Sequence, residues 1–178
     1  MDSEELYEKE LKQSDIDHHT PTAGAMTGHI IANLLIHMLK ISQVKLFADG
    51  NAELFMEQHA HKWLEYEIKE FNQLNRILVA NGESVPTTTE QMRSFTMLEE
   101  NGAEKYLNGE AQLFNLVQDF DTQILFTTKA IALAEKEEWP ELAQSLIGFQ
   151  RWIKEQIMLT QHFLGHEIHE GLYNEDDE

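Results

Sequence analysis

Three histidines near the C-terminus are spaced like the ligands of a metal ion. His162, His166 and His169 follow an i, i+4, i+7 pattern, which places them on one stripe if a helix continues past Gly165. Imidazole nitrogens in such a stripe bind transition-metal ions readily. Gly165 is also a typical helix-ending residue, and a helix that stops there leaves His166 and His169 in the tail. Both arrangements stay open from the sequence.

A second candidate pair lies in the middle of a long helical pattern. Glu57 and His61 are four residues apart, so both project from one helical face and could hold a single divalent ion. The alternative is a solvated surface pair, which is the commoner outcome for exposed side chains at this spacing. His59 points to a different face from His61, so these two histidines do not form a joint site.

Four long amphipathic segments must position these side chains. Apolar residues recur every three or four positions in each segment, which is the period of a helix with one buried face. The predicted bounds are 21–50, 51–82, 108–136 and 141–164. Gly50 separates the first two helices with almost no loop, so they should form an antiparallel hairpin. The sequence therefore predicts an all-α four-helix bundle.

The connection between the second and third long helices indicates which kind of bundle this is. Segment 82–108 is too long for a turn, and Thr87 to Met92 offers a capped start for a short helix. A crossover at this point is the ferritin-like connectivity. We expect an N-terminal extension at 1–19, helical at 3–13 with Ser3 as its cap, then the bundle at 20–166 and an acidic tail at 167–178.

Composition narrows the class of protein further. The 178 residues include no cysteine and carry a formal net charge of −19. Disulfides and thiolate metal sites are therefore excluded. The acidic N-terminus is unlike a leader peptide, and no apolar run reaches the length of a membrane span. We expect a cytoplasmic protein with no membrane partner. The sequence contains neither a glycine-rich phosphate-binding loop nor a nucleophilic serine motif.

The order of several motifs resembles Dps, the family of ferritin-like DNA-binding proteins from starved cells that assemble as hollow homododecamers. The resemblance covers roughly residues 22–166. No single motif is diagnostic, but their order and spacing together are fairly specific. The matching segments are His29-Ile30-Ile31-Ala32-Asn33-Leu34, Lys40-Ile41-Ser42-Gln43, Gly50, the run from Arg76 to Pro86, and Phe163-Leu164-Gly165.

The resemblance implies a ferroxidase centre between two subunits, made by two histidines and three carboxylates. Alignment on the two helix-ending glycines, without a gap, places five residues of this chain at those positions: Lys45, Glu57, His61, Asn72 and Arg76. Lysine, asparagine and arginine replace a histidine and two carboxylates. Two fixed positive charges repel iron, so we predict an ion-paired interface with weak or absent ferroxidase activity. If the alignment were shifted by one residue, Glu53, His59, Glu65 or Glu70 would serve as ligands instead.

The resemblance also implies an acidic threefold pore through which iron enters the shell. Glu138 and Glu141 occupy a similar position here, where a ring of carboxylates would attract iron and other divalent cations. Both residues are equally explained as first-turn acids that interact with the macrodipole of the fourth helix. These two interpretations are compatible.

DNA binding, the other family property, conflicts with the charge of the extension. Residues 1–19 contain only Lys9 and Lys12 against seven acidic side chains. Any DNA contact should therefore use divalent cations that bridge carboxylates to phosphates, with the extension as contact element and possible nucleoid association. Two alternatives remain: a non-catalytic structural shell, and a metal-binding enzyme whose centre has been relocated, for example to the C-terminal histidines.

Overall fold

A computed structural model describes residues 1–172 of the chain. Within these residues the protein is helical and contains no β-strand, as the sequence predicts. The elements in chain order are α1 (Ser3–His19), α2 (Ala23–Phe47), α3 (Gly50–Ala80), α4 (Thr89–Phe95), a 3-10 turn (Gly102–Tyr106), α5 (Gly109–Lys136) and α6 (Pro140–Leu164). The helices α2, α3, α5 and α6 form a ferritin-like four-helix bundle, and α4 lies in the crossover.

The hairpin of α2 and α3 turns within two residues. Helix α2 ends at Phe47 and is capped by Ala48, while Asp49 occupies the N-cap position of α3. Gly50 has the left-handed φ of +61° that the sequence predicts, but it begins α3 and does not close α2. The predicted N-cap at Asn51 is therefore wrong by two residues, because Asp49 already adopts the extended cap conformation.

The crossover is ordered by its own caps and by contact with the hairpin. The capped start predicted between Thr87 and Met92 is present, and Thr88 and Gln91 form its capping box at the start of α4. Farther along, the backbone N–H of Gly109 donates to the Asp49 carboxylate at 3.1 Å. A Cβ atom on Gly109 would lie 2.5 Å from the Asp49 carbonyl oxygen and 2.7 Å from the Ala52 Cβ. The start of α5 therefore approaches the hairpin at a distance that only glycine allows.

The core fills the space between the four long helices. Pro140 occupies the first turn of α6, and Gly165 ends that helix with a left-handed φ of +72°. The largest fully buried side chains come from every bundle helix: Trp63, Phe120, Phe149, Ile30, Ile31, Leu34, Ile41, Met56, Leu74, Leu78, Leu113 and Leu116. Aromatic contacts such as Trp63 against Phe120, with 5.2 Å between ring centres, join α3 to α5.

The N-terminal extension is a longer helix than the sequence predicts. Helix α1 runs to His19, beyond the expected end at residue 13, and its cap is Asp2 where Ser3 was expected. Asp2 forms a reciprocal capping box with Glu5. Helix α1 has no buried residue in this single chain, and the apolar Leu6 and Leu11 are about half exposed.

Helix α2 is long and apolar enough to cross a membrane by length and composition. We expected no such run from the sequence. Half of its most apolar stretch is nevertheless buried within the protein, where Ile30, Ile31 and Leu34 have no solvent exposure. Packing against α3 and α5 accounts for this apolar character, as in the central helix of any bundle.

We predict opposite effects of alanine at two glycines. Gly109→Ala should lower the free energy of unfolding by about 2–3 kcal/mol, because its methyl group overlaps backbone atoms of the hairpin. Gly148→Ala is the matched control, since a Cβ there meets nothing within 4 Å and alanine favours a helix interior by about 0.5–1 kcal/mol. Thermal unfolding followed by circular dichroism measures both; equal midpoints would contradict the close approach at Gly109.

Candidate functional site

The five predicted ferroxidase positions lie on the outside of the single subunit. Lys45 is near the end of α2, and the other four are on α3. All five side chains are exposed: Lys45, Glu57, His61, Asn72 and Arg76. The nearest acidic contact of His61 is Glu65, at 4.0 Å, and these side chains are 84% and 75% exposed. A metal site made by Glu57 and His61 stays a prediction.

The residues that a shifted alignment would use have different surroundings. Glu53 and Glu65 are exposed, whereas His59 packs on Phe55 with 4.3 Å between ring centres. Burial, with the charge of Lys62, lowers the pKa of His59. Glu70 is buried and accepts a hydrogen bond from the Ser145 hydroxyl at 3.3 Å, so it faces α6 of its own subunit.

The C-terminal histidines do not form a helical stripe within one subunit. Helix α6 ends at Leu164, so only His162 is helical, and His166 and His169 follow the left-handed Gly165. His166 Nδ1 lies 2.8 Å from Gln161 Oε1, which fixes its ring beside the end of the helix. Of the two arrangements that the sequence leaves open, the structure has the one in which the helix stops at Gly165. Metal binding by these histidines stays a prediction, which requires that the chain ends of several subunits lie close together in an assembly. The tail residues 173–178 lie outside the described residues.

The two candidate pore carboxylates are exposed at the turn between α5 and α6. Glu138 has a positive φ of 57°, and Glu141 lies in the first turn of α6. Glu141 is a first-turn acid of α6, as the sequence predicts, whereas Glu138 precedes the N-cap Trp139 and is not a first-turn residue. A pore role for either residue stays a prediction. Neither side chain is buried by its own subunit.

Helix α1 contacts the bundle through its last turns. His18 stacks on Phe95 of α4, with 5.0 Å between ring centres, and meets His29 of α2 edge-on at 4.9 Å. Burial and the nearby carboxylates of Asp17 and Glu137 raise the pKa of Glu83 at this junction. Lys9 and Lys12, the candidate DNA contacts, are both exposed along the helix.

A buried polar cluster, which sequence reasoning missed, lies inside the bundle. His37 of α2 and Glu67 of α3 are 0% and 1% exposed, and His37 Nδ1 lies 2.5 Å from Glu67 Oε1. The other ring nitrogen of His37 and the other carboxylate oxygen of Glu67 are buried without a hydrogen-bond partner. Such atoms are uncommon in native interiors because leaving them unsatisfied costs about 1–3 kcal/mol each.

An ion pair flanks this cluster on the side of α5. Lys40 Nζ lies 2.8 Å from a carboxylate oxygen of Asp119 and also donates to the Glu99 carbonyl at 2.6 Å. Burial lowers the pKa of His37, but the charge and hydrogen bond of Glu67 and the charge of Asp119 outweigh it and raise the pKa overall. Burial also raises the pKa of Glu67.

One sequence signal could have revealed Glu67. It lies four residues after Trp63 and seven before Leu74, so it occupies the buried stripe of α3. A charged residue at such a core position has a partner or a ligand. The identity of that partner, His37, depends on how α2 packs on α3. Within residues 1–172 no three histidine, aspartate or glutamate side chains are already arranged as a metal site.

Comparison with solved structures assigns this fold to a family. Lactococcus lactis DpsB superposes with a TM-score of 0.86 at 32% identity, over 92% of this chain and 95% of that one. Lactococcus lactis DpsA gives 0.85 at 33% identity, over 95% and 99%. The chain belongs to the Dps family. The sequence-based assignment to Dps is therefore confirmed, together with the ferritin-like bundle.

More distant Dps structures share the fold alone. Dps from Listeria monocytogenes superposes with a TM-score of 0.80 at 21% identity, over 84% of this chain and 97% of that one. No protein-family model and no curated protein sequence matches the chain. The family is therefore recognised through three-dimensional structure and the lactococcal Dps proteins.

We predict that Glu70 makes stability depend on pH. Burial raises its pKa from 4.5 to about 7, against the lowering effects of Ser145 and Lys69. The folded protein then binds this proton more tightly than the unfolded chain. Stability should fall as pH rises from 4.5 to 7 and level off above that window. Glu70→Gln should remove about 1–3 kcal/mol of this fall, measured by urea unfolding at several pH values. The exposed Glu65→Gln is the control, and an unchanged profile in Glu70→Gln would refute the assignment.

Proposed function

We propose that this Dps protein forms a hollow homododecameric shell that binds DNA and handles iron, and so protects DNA from oxidative damage. The shell is supported by close structural similarity to lactococcal Dps proteins over nearly the whole chain. Exposed apolar side chains on the hairpin also need cover, since Leu46 is 71% exposed and Leu54 is 64% exposed. Contacts between subunits would bury them.

Helix α1 is the observation that carries the DNA part of the proposal. It is a capped helix with no buried residue, attached to the bundle chiefly at its C-terminal end. Its acidic side chains outnumber Lys9 and Lys12, so direct attraction to phosphate is weak. Divalent cations that bind α1 carboxylates and DNA phosphates would overcome this repulsion. The protein would then act in the cytoplasm beside the nucleoid.

We predict that DNA binding depends on cations and on the carboxylates of α1. A gel shift with linear DNA should appear in millimolar Mg²⁺ and vanish with EDTA, and deletion of residues 1–15 should abolish it. Glu4→Gln/Glu8→Gln should weaken the Mg²⁺-dependent shift, because both exposed carboxylates are lost without disturbing the Asp2–Glu5 cap. Light scattering on every variant confirms an intact shell.

If the lysines of α1 bind DNA directly, the two pairs of substitutions should have the opposite effects on DNA binding. Lys9→Gln/Lys12→Gln should then abolish the shift, and Glu4→Gln/Glu8→Gln should strengthen it because repulsion of phosphate decreases. Under cation bridging, the lysine variant should bind DNA within a few-fold of the parent. A shift that survives EDTA would overturn the cation-bridged mechanism.

Iron handling is proposed with little or no oxidation at the intersubunit positions. The exposure of all five side chains fits a surface that meets a partner subunit. Lys45 and Arg76 would place fixed positive charge there, and Asn72 supplies only a neutral amide. Glu57 would then be balanced by Lys45 from the neighbouring chain. Iron would enter as substrate through the carboxylates of Glu138 and Glu141.

We predict that restoring the ligands restores oxidation. The triple variant Lys45→His/Asn72→Asp/Arg76→Glu should oxidise ferrous ion at least about tenfold faster than the parent, because it regains imidazole and carboxylate donors at the interface. Anaerobic loading followed by air or peroxide, monitored by ferric absorbance, gives the rates. A parent that oxidises ferrous ion as fast as the active triple variant would contradict the prediction of a degraded intersubunit centre.

A further inference from the structure

Four aromatic side chains form a continuous series of ring contacts across α3, α5 and α6. Tyr66 of α3 and Trp152 of α6 lie parallel, with 3.9 Å between ring centres and 7° between ring planes. The Trp152 ring meets Phe120 of α5 edge-to-face at 5.8 Å. Phe120 in turn meets Trp63 of α3 at 5.2 Å. These four side chains are called the aromatic stack below.

The two ends of the aromatic stack differ in their access to solvent. Trp63 is 1% exposed, and its indole N–H donates to Gln156 Oε1 at 2.9 Å. Tyr66 and Trp152 are both partly exposed on the single subunit. The stack therefore connects a ring that is sealed in the core with rings that solvent reaches.

These side chains are also among the most readily oxidised in the protein. The chain has no cysteine, so tryptophan and tyrosine rings and methionine thioethers are the groups that lose electrons most easily. Electron transfer between two rings is fastest where they touch, because electronic coupling falls off exponentially with distance. The parallel contact of Tyr66 with Trp152 meets this requirement. An electron lost from Trp152 can therefore be replaced from Tyr66.

The phenol of Tyr66 makes this transfer favourable. Burial, with the charge of Glu70, raises the pKa of Tyr66 to about 12, so its hydroxyl is protonated at neutral pH. Loss of one electron makes a phenol strongly acidic, and the partly exposed side chain can release its proton to water. The neutral tyrosyl radical that remains is less oxidising than a tryptophan radical cation. The missing electron therefore comes to rest at Tyr66.

We propose that the aromatic stack traps strong one-electron oxidants such as the hydroxyl radical. The oxidant takes one electron from Trp152, so that hydroxyl radical becomes hydroxide and Trp152 becomes a radical cation. Tyr66 then gives an electron to Trp152 and a proton to water, which leaves a tyrosyl radical on Tyr66. An electron lost from the buried Trp63 is replaced along the same route, through Phe120. The reaction requires neither DNA binding nor the intersubunit iron positions.

Electron paramagnetic resonance of the assembled, full-length protein tests the trap. In a background in which the other three tyrosines are phenylalanine, illumination with tris(bipyridine)ruthenium and persulfate followed by freezing should give a tyrosyl signal. Ring-deuterated tyrosine should narrow this signal. Tyr66→Phe should replace it with a tryptophan radical signal. Because iron is not added, failure of the proposed iron handling would leave these results unchanged.

Two tryptophan substitutions separate electron transfer from packing. Trp152→Phe keeps an aromatic ring in the stack but removes the electron donor, so it should lose most of the tyrosyl signal. The matched control is Trp139→Phe, which removes a tryptophan at the N-cap of α6, outside the stack, and should leave the signal unchanged. Circular dichroism and light scattering verify the fold and the assembly of each variant. Equal tyrosyl yields in the background protein and folded Trp152→Phe would overturn the proposal.

A measurement on the unsubstituted protein avoids any variant that fails to fold. After limited oxidation, peptide mapping by mass spectrometry should find more modification at Tyr66 than at Tyr106. Exposure alone predicts the reverse order, because Tyr106 is 80% exposed whereas Tyr66 is only partly exposed. Greater modification of Tyr106 would show that oxidation follows solvent access and not the stack, and would overturn the proposal.

Discussion

The short connection between α2 and α3 constrains the rest of the bundle. Phe47 and Gly50 are separated by only Ala48 and Asp49, so the two helices must run antiparallel and in contact. Asp49 also accepts the first backbone N–H of α5 through its side chain, and Gly109 fits against the backbone of the same turn. Three of the four bundle helices are thus fixed at one point, and the crossover that joins them must span the full length of the bundle.

Negative charge is the second organising feature. The chain carries 32 acidic side chains against 13 lysine and arginine residues, which gives its formal net charge of −19. On the outside these carboxylates repel DNA directly and attract divalent cations, which links the proposed modes of DNA binding and iron uptake. Inside the bundle, by contrast, the carboxylates are paired, Glu67 with His37 and Asp119 with Lys40, because a charge must be balanced where water is excluded.

The helices and their order follow from features that act over a few residues. The apolar periodicity of the four long helices and the capped start of the crossover helix between Thr87 and Met92 lie where the sequence places them. The predicted helix ends are wrong where a longer and a shorter helix differ little in local free energy. Helix α1 continues six residues past its expected end, to His19, as its last turns contact Phe95 and His29 of the bundle.

The sequence by itself determined the fold class, the family resemblance and the identity of the residues at the five aligned ferroxidase positions. Those conclusions rest on spacing along the chain, which helical periodicity converts directly into faces. Tertiary structure decided that His37 and Glu67 meet, that Glu70 faces Ser145, and that His166 and His169 lie beyond the end of the helix that holds His162. His37 and Glu67 are thirty residues apart on different helices, so their contact depends on interhelical packing and not on any local pattern.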